Sequence, residues 1–196
     1  MKRVLRYLLY MTPGLAFGAL VFLVLFRYRR RRLEVRGLHS SALRECGVCL
    51  FWMYCGGMAA VTLFPGPGWL LDVLRGADHV PLFDLGGLDR RVSLLPFSDL
   101  DSGFNLAGNI VMFLPFGFLT ALLWRGWTWK RALFLGLAIT AGIECWQIFV
   151  GRYFDIDDII LNALGVLSGY LLWALLRRAA PGFAERFYII KENSHG

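Results

Sequence analysis

Charge is what this chain has least of. Charged side chains make up 18% of its 196 residues and hydrophobic ones 57%. A soluble domain runs nearer a quarter charged and half apolar, so the deficit argues against an ordinary water-soluble fold. Histidine is scarce as well. His39, His79 and His195 all lie outside the apolar runs, and none belongs to a metal-ligand pattern such as H-E-x-x-H. No apolar run therefore offers a histidine-activated nucleophile. Cysteine is limited to Cys46, Cys49, Cys55 and Cys145, all in or beside apolar segments. The C-G-V-C stretch has no second pair or histidine couple, which argues against a zinc or redox motif and for small buried hydrophobes. No cofactor motif is present.

Long apolar runs are what the chain has instead. A bilayer core about 30 Å thick needs roughly 20 apolar residues in a helix. Five segments qualify: 7–26, 46–64, 104–124, 132–150 and 159–176. The predicted fold is an all-α, polytopic membrane bundle. Pro13 and Pro115 fall inside spans, where neighbouring helices can re-satisfy freed carbonyls. The first run lacks a small-residue cleavage site and ends in R-Y-R-R-R-R, so it reads as a retained span. Residues 1–45 then hold the first span and an Arg-rich loop. Residues 46–178 form the main membrane domain, with a long outer loop at 65–103, and residues 179–196 form a tail.

The formal charge of +7 also comes from the ends of these runs. Arginines clustered there are topology signals, and the pattern argues against a nucleic-acid partner. Assigning alternate loops to opposite sides puts fourteen of the 21 basic residues with the first and third loops and the C-terminal tail. The heavier side is expected to be cytoplasmic, which leaves the N-terminus outside and the C-terminus inside. The outer loop carries short apolar pieces, W-L-L-D-V-L and V-S-L-L-P-F, too short to span and expected on the outer leaflet or folded back over the bundle.

Polar residues inside the spans fall at one depth. Asn105 and Asn109 sit near the outer start of the third span, four apart on one helix face. Glu144 and Gln147 sit near the outer end of the fourth, with Thr140 extending their stripe. Asn162 lies about 5 Å below the outer boundary of the fifth, at roughly 1.5 Å per residue. The turn G-R-Y-F-D-I-D-D joins the last two spans with Arg152, Asp155, Asp157 and Asp158. An unpaired carboxylate at the bilayer centre costs about 2.5–3.5 kcal/mol on insertion scales. Glu144 is therefore expected to be paired, protonated or hydrated, with Arg152 folding over it and the amides of Asn109, Gln147 and Asn162 donating to it. One reading is a polar pocket opening outward between the third, fourth and fifth spans. The other is that the aspartates cap a helix and the amides join helices, at under about 2 kcal/mol each. Gly165 and Gly169 form a small-residue packing face, and Pro115 with Gly117 reads as a kink and a close contact.

These residues resemble the VanZ-like family of bacterial membrane proteins, named for an accessory teicoplanin-resistance protein. N-L-A-G-N-I-V-M-F-L-P-F-G-F-L matches an Asn-x-x-x-Phe-x-Pro-x-Gly signature with Asn109, Phe113, Pro115 and Gly117. I-E-C-W-Q matches Glu-x-x-Gln with Glu144 and Gln147. G-R-Y-F-D-I-D-D-I-I-L-N-A-L-G matches the Gly-Arg, acidic-turn, Asn-x-x-Gly block with Gly151, Arg152, Asp155, Asp157, Asp158, Asn162 and Gly165. R-R-V-S-L-L-P-F resembles the pre-span loop, with Pro96 and Phe97; Ser93 replaces a frequent Asn, and Ala163 a common Thr. The resemblance spans roughly residues 54–176. It implies an integral protein of the bacterial cell envelope, with a contribution to glycopeptide (teicoplanin) resistance, and attaches no reaction.

Two functions compete on this basis. In one, the pocket binds a polar head group, from a membrane lipid, a lipid-linked wall precursor or a glycopeptide. Glu144, Arg152, Asp155, Asp157 and Asp158 would contact it, and Asn109, Gln147 and Asn162 would orient them. In the other, the clustered carboxylates do acid–base work on a lipid or lipid-linked substrate, or hold a hydrated divalent cation. Transport finds little support without an inverted repeat. A structural partner of another envelope protein fits the capping and joining roles.

Overall fold

A computed structural model of the chain describes residues 2–76, 81–86, 91–95 and 103–191, with backbone alone at Arg3, 103–105 and Lys191. In chain order the elements are α1 (Lys2–Glu34), β1 (Leu38–His39), α2 (Ala42–Thr62), α3 (Trp69–Leu74), β2 (Val92–Ser93), α4 (Gly103–Leu123), α5 (Trp129–Phe149), β3 (Phe154–Asp155), α6 (Ile156–Ala179), α7 (Pro181–Glu185) and β4 (Ile190–Lys191). Five of these helices, α1, α2, α4, α5 and α6, are long and apolar enough to cross a membrane. They correspond to the five expected spans. The strands are two-residue clasps, β1 antiparallel to β4 and β2 parallel to β3, so the class is all-α.

Local sequence sets where helices begin. Ser41 accepts the Arg44 N–H at the start of α2, Thr128 the Arg131 N–H at the start of α5, and Asp155 the Asp157 N–H at the start of α6. Each hydroxyl or carboxylate satisfies one of the N–H groups that a first turn leaves open. The largest difference from expectation is in α1. The Arg-rich stretch after residue 26 is not a loop but a continuation of the helix, 33 residues long. That length is roughly 50 Å, well beyond the hydrocarbon core. Arginine is a good helix former. Arg30 also pairs with Glu34 one turn on at 3.2 Å, and Arg29 reaches Glu45 of α2 at 3.1 Å. Arg31 and Arg32 in the last turn complement the helix dipole.

Packing is by pairs. The closest are α1 with α2 and α4 with α6; α5 lies against α6, and α2 meets α4. Tyr54 Oη donates to the Met112 carbonyl at 2.8 Å across the α2–α4 contact. Glycine permits the tightest approaches. A Cβ on Gly56 would stand 2.1 Å from the Gly14 carbonyl oxygen of α1. On α6, a Cβ at Gly165 would meet the Ile110 carbonyl at 2.4 Å, and one at Gly169 the Leu114 carbonyl at 2.0 Å. The small-residue face of α6 is thus a packing face against α4. These contacts also make α4 and α6 parallel, with Ile110 level with Gly165 and Leu114 with Gly169.

The core between them holds Phe113, Phe116, Ala132, Ile143 and Val166. Outward faces are apolar and open, as at Phe134 (75% exposed) and Val111 (64%). A soluble monomer rarely exposes such a surface; lipid would cover it. Cys46 and Cys145 belong to this exposed surface, while Cys49 and Cys55 are half-buried. The expectation of four buried cysteines is corrected accordingly, because a helix facing lipid needs no protein cover for an apolar side chain.

Candidate functional site

The α2 and α5 C-termini meet the α4 and α6 N-termini at one pole of the bundle. The α5–α6 turn is the centre of that pole. The α5 helix stops at Phe149, and Gly151 takes a φ of +80°, a left-handed conformation that glycine adopts without strain. The Arg152 N–H then returns to the Gln147 carbonyl at 2.9 Å. Asp155 is extended and begins α6.

Glu144 is 1% exposed. Its Oε2 accepts the backbone N–H of Asp155 at 3.0 Å. Asp155 Oδ1 in turn accepts the Asp157 N–H at 2.9 Å, so one residue clasps α5 and caps α6. Asp158, one turn into α6, accepts from Nδ2 of Asn109 on α4. Glu144, Asp155, Asp158 and Asn109 therefore join three helices at one level. Asp157 is also buried there.

Arg152 and Gln147 face the other way. Arg152 Nη1 donates to the carbonyls of Val61 (3.2 Å) and Thr62 (3.3 Å), and Gln147 Nε2 to Thr62 (3.1 Å). Trp146 Nε1 adds a bond to the Leu63 carbonyl at 2.8 Å. Three side chains thus occupy the last carbonyls of α2, where a cation meets the negative end of the helix dipole. Burial holds the Arg152 guanidinium below its ordinary value, and the negative charge of Glu144 and of Asp158 acts in the opposite direction. Arginine stays protonated in either case. Asn162 sits deeper and donates to Thr140 Oγ1 at 2.7 Å; its own Oδ1 is buried without a hydrogen-bond partner among the described residues.

Part of the long segment between α2 and α4 folds back over this pole. Arg91 donates to the Asp84 carbonyl (2.7 Å) and carboxylate (2.5 Å) and to the Ile148 carbonyl of α5 (3.1 Å). The Asp84 N–H reaches the Phe149 carbonyl at 2.9 Å, and Phe83 meets the Trp146 ring edge-on. The Phe154 N–H reaches the Arg91 carbonyl at 2.8 Å. The Gly86 N–H and the Arg91 guanidinium hold the Asp84 carboxyl below its usual range. This strap lies over the acidic turn.

Sequence reasoning placed the polar residues at one pole but misassigned their partners. The amides of Asn109, Gln147 and Asn162 do not donate to Glu144; a backbone N–H does. Arg152 gives its hydrogen bonds to the end of α2, while its charge and that of Glu144 still act on each other. Asp84, Arg91 and Trp146 were missed altogether. The only signal for Arg91 was its place in the R-R-V-S-L-L-P-F block. Pro96, Phe97, His79 and His195 lie outside the described residues, as does the side chain of Asn105. Among the described residues, no cluster of three or more His, Cys, Asp or Glu could hold a metal ion.

A family model described as VanZ/LLP1 matches residues 51–177. The chain belongs to this VanZ-like family. The match begins within α2 and ends near the last turn of α6, so it takes in the whole polar pole and leaves α1 outside. No curated protein and no solved structure matches the chain.

Proposed function

We propose that this VanZ-like membrane protein works in the bacterial cell envelope by holding a polar head group at the pole built around Glu144. The head group would come from a membrane lipid, a lipid-linked wall precursor or a glycopeptide, and its capture would contribute to teicoplanin resistance. The observation that carries the reading is the burial of Glu144 near Asp155, Asp158 and Arg152, four ionisable groups gathered at one pole of the bundle. Ionisable groups at membrane depth are expensive to maintain and mark functional sites by default. The buried Asn162 Oδ1, without a partner among the described residues, adds an acceptor for a ligand N–H or O–H. The positive-inside rule supports an extracytoplasmic position for this pole, with the N-terminus outside and the C-terminus cytoplasmic.

Glycopeptide susceptibility tests it. Expressing the chain in a sensitive bacterium should raise the teicoplanin concentration needed to stop growth. Glu144→Gln and Asp158→Asn should abolish the increase at equal membrane abundance. Full retention of the increase in both variants would contradict the assignment.

A further inference from the structure

The opposite pole builds a second concavity. There α4 gives way to Arg125 and Gly126, and α6 ends in Arg177 and Arg178. After α7 the chain turns back. β4 pairs with β1, and Ser41 Oγ donates to the Arg186 carbonyl at 2.7 Å, fixing this return against the start of α2. Between the return segment and the α4–α5 turn lies a cavity of about 780 Å³, lined by Arg125, Arg177, Tyr188, Ile189 and Ile190. Among the described residues, Glu185 is the one acidic residue in its lining.

Three features of the cavity point to one class of occupant. First, neither Arg125 nor Arg177 enters an ion pair among the described residues, although ion pairs do hold Arg29, Arg30 and Arg44 at the same pole. Second, the level is marked by aromatic and basic side chains. Trp124 and Trp129 are exposed, Arg177 lies 5.5 Å over the Trp173 ring, and Lys130 lies 5.7 Å over Trp129. Such a band belongs at the membrane–water interface. Third, the return segment exposes Ile189 (37%) and Ile190 (57%) in the same lining as the arginines.

We infer that this cavity binds the phosphodiester head group of an anionic phospholipid, with Arg125 and Arg177 on the phosphate and the exposed apolar rim against the lipid's hydrocarbon. The planar guanidinium presents paired donors that match phosphate oxygens. Basic recesses at helix ends are a recurrent means of recognising acidic head groups. A soluble anion would satisfy the arginines but leave Ile189 and Ile190 in water; an acidic lipid satisfies both. The site is independent of the one around Glu144.

Binding by the full-length chain in non-ionic detergent tests the inference, read by native mass spectrometry with phosphatidylglycerol, phosphatidylcholine and glycerol phosphate. Phosphatidylglycerol should bind, and the other two should not at the same concentration. Replacing both arginines (Arg125→Gln with Arg177→Gln) should weaken it roughly 30-fold, about fivefold per basic group. Arg31→Gln with Arg32→Gln, at the same pole but outside the cavity, should leave it unchanged. Glu185→Gln should tighten it about fivefold, which checks the site even where the double variant folds poorly. Equal losses in the two double variants would assign the binding to diffuse basic surface and overturn the site. Equal binding of phosphatidylcholine, or of glycerol phosphate, would overturn the proposed ligand, and no gain from Glu185→Gln would remove the cavity from the account.

Discussion

The carboxylate of Glu144, on the fourth membrane-spanning helix, accepts the backbone N–H of Asp155, the residue that starts the fifth. The bond is 3.0 Å long and Glu144 is 1% exposed. One buried acid thereby sets how α5 hands over to α6. The same aspartate caps α6 with its own carboxylate, so the turn depends on both residues together.

The first prediction concerns that bond. Glu144→Ala removes the acceptor of the half-buried Asp155 N–H, at a cost of about 1–3 kcal/mol. Glu144→Gln keeps an acceptor oxygen of the same shape. Thermal melting in detergent should therefore show Glu144→Ala clearly below wild type and Glu144→Gln close to it. For a chain of this size each kcal/mol is worth about 2–4 °C. Equal losses in the two variants would mean the bond does not support the turn.

Asn109 and Asp158 should be energetically coupled. Interhelical hydrogen bonds in membranes average about 0.6 kcal/mol and reach about 1.7. A double-mutant cycle with Asn109→Ala and Asp158→Ala, read by reversible unfolding in mixed micelles, should return a coupling in that range. Strict additivity would show that the contact between α4 and α6 carries no energy of its own.

The α4–α6 seam should reject a single methyl group. At Gly169 a Cβ would stand 2.0 Å from the Leu114 carbonyl, whereas at Gly142 it would meet nothing within 4 Å. Gly169→Ala is expected to destabilise by about 1–3 kcal/mol, the usual range for overpacking. Gly142→Ala should be neutral or slightly stabilising, since alanine is the better helix former. Matching melting temperatures for the two would refute the close seam.

The strap should loosen in acid. Hydrogen bonds from the Gly86 N–H and from Arg91 hold the Asp84 carboxyl below its usual value. A carboxyl depressed in the folded state contributes fully above its unfolded value, about 3.9, and loses that contribution as the pH falls through the lower folded value. Hydrogen exchange at 81–86 and 91–95 should therefore accelerate below about pH 4 relative to the transmembrane helices. In Asp84→Asn, exchange should already be fast at neutral pH and change little on acidification. Protection that is independent of pH in the wild type would show that the Asp84–Arg91 pair does not hold the strap.

Hydropathy and the placement of arginine were enough to determine five spans and the pole at which the intramembrane polar residues gather. The reason is physical: a backbone in lipid must satisfy its hydrogen bonds within a helix, and a charge must sit where the helix ends or meets a partner. The helix starts at Ser41, Thr128 and Asp155 were equally local, because a cap acts within one turn. The partner of each polar side chain was not local. Whether Arg152 lies over Glu144 or on the last carbonyls of α2 depends on how α5 leans against α2. That placement is set between helices and is not a property of one segment. The strap through Asp84 and Arg91 was invisible for the same reason, since it joins a loop to a turn some 60 residues later in the chain. Composition decided that this protein is a membrane bundle; only the tertiary packing decided which groups its buried charges touch, because hydrogen bonds between helices depend on distances that no single helix contains.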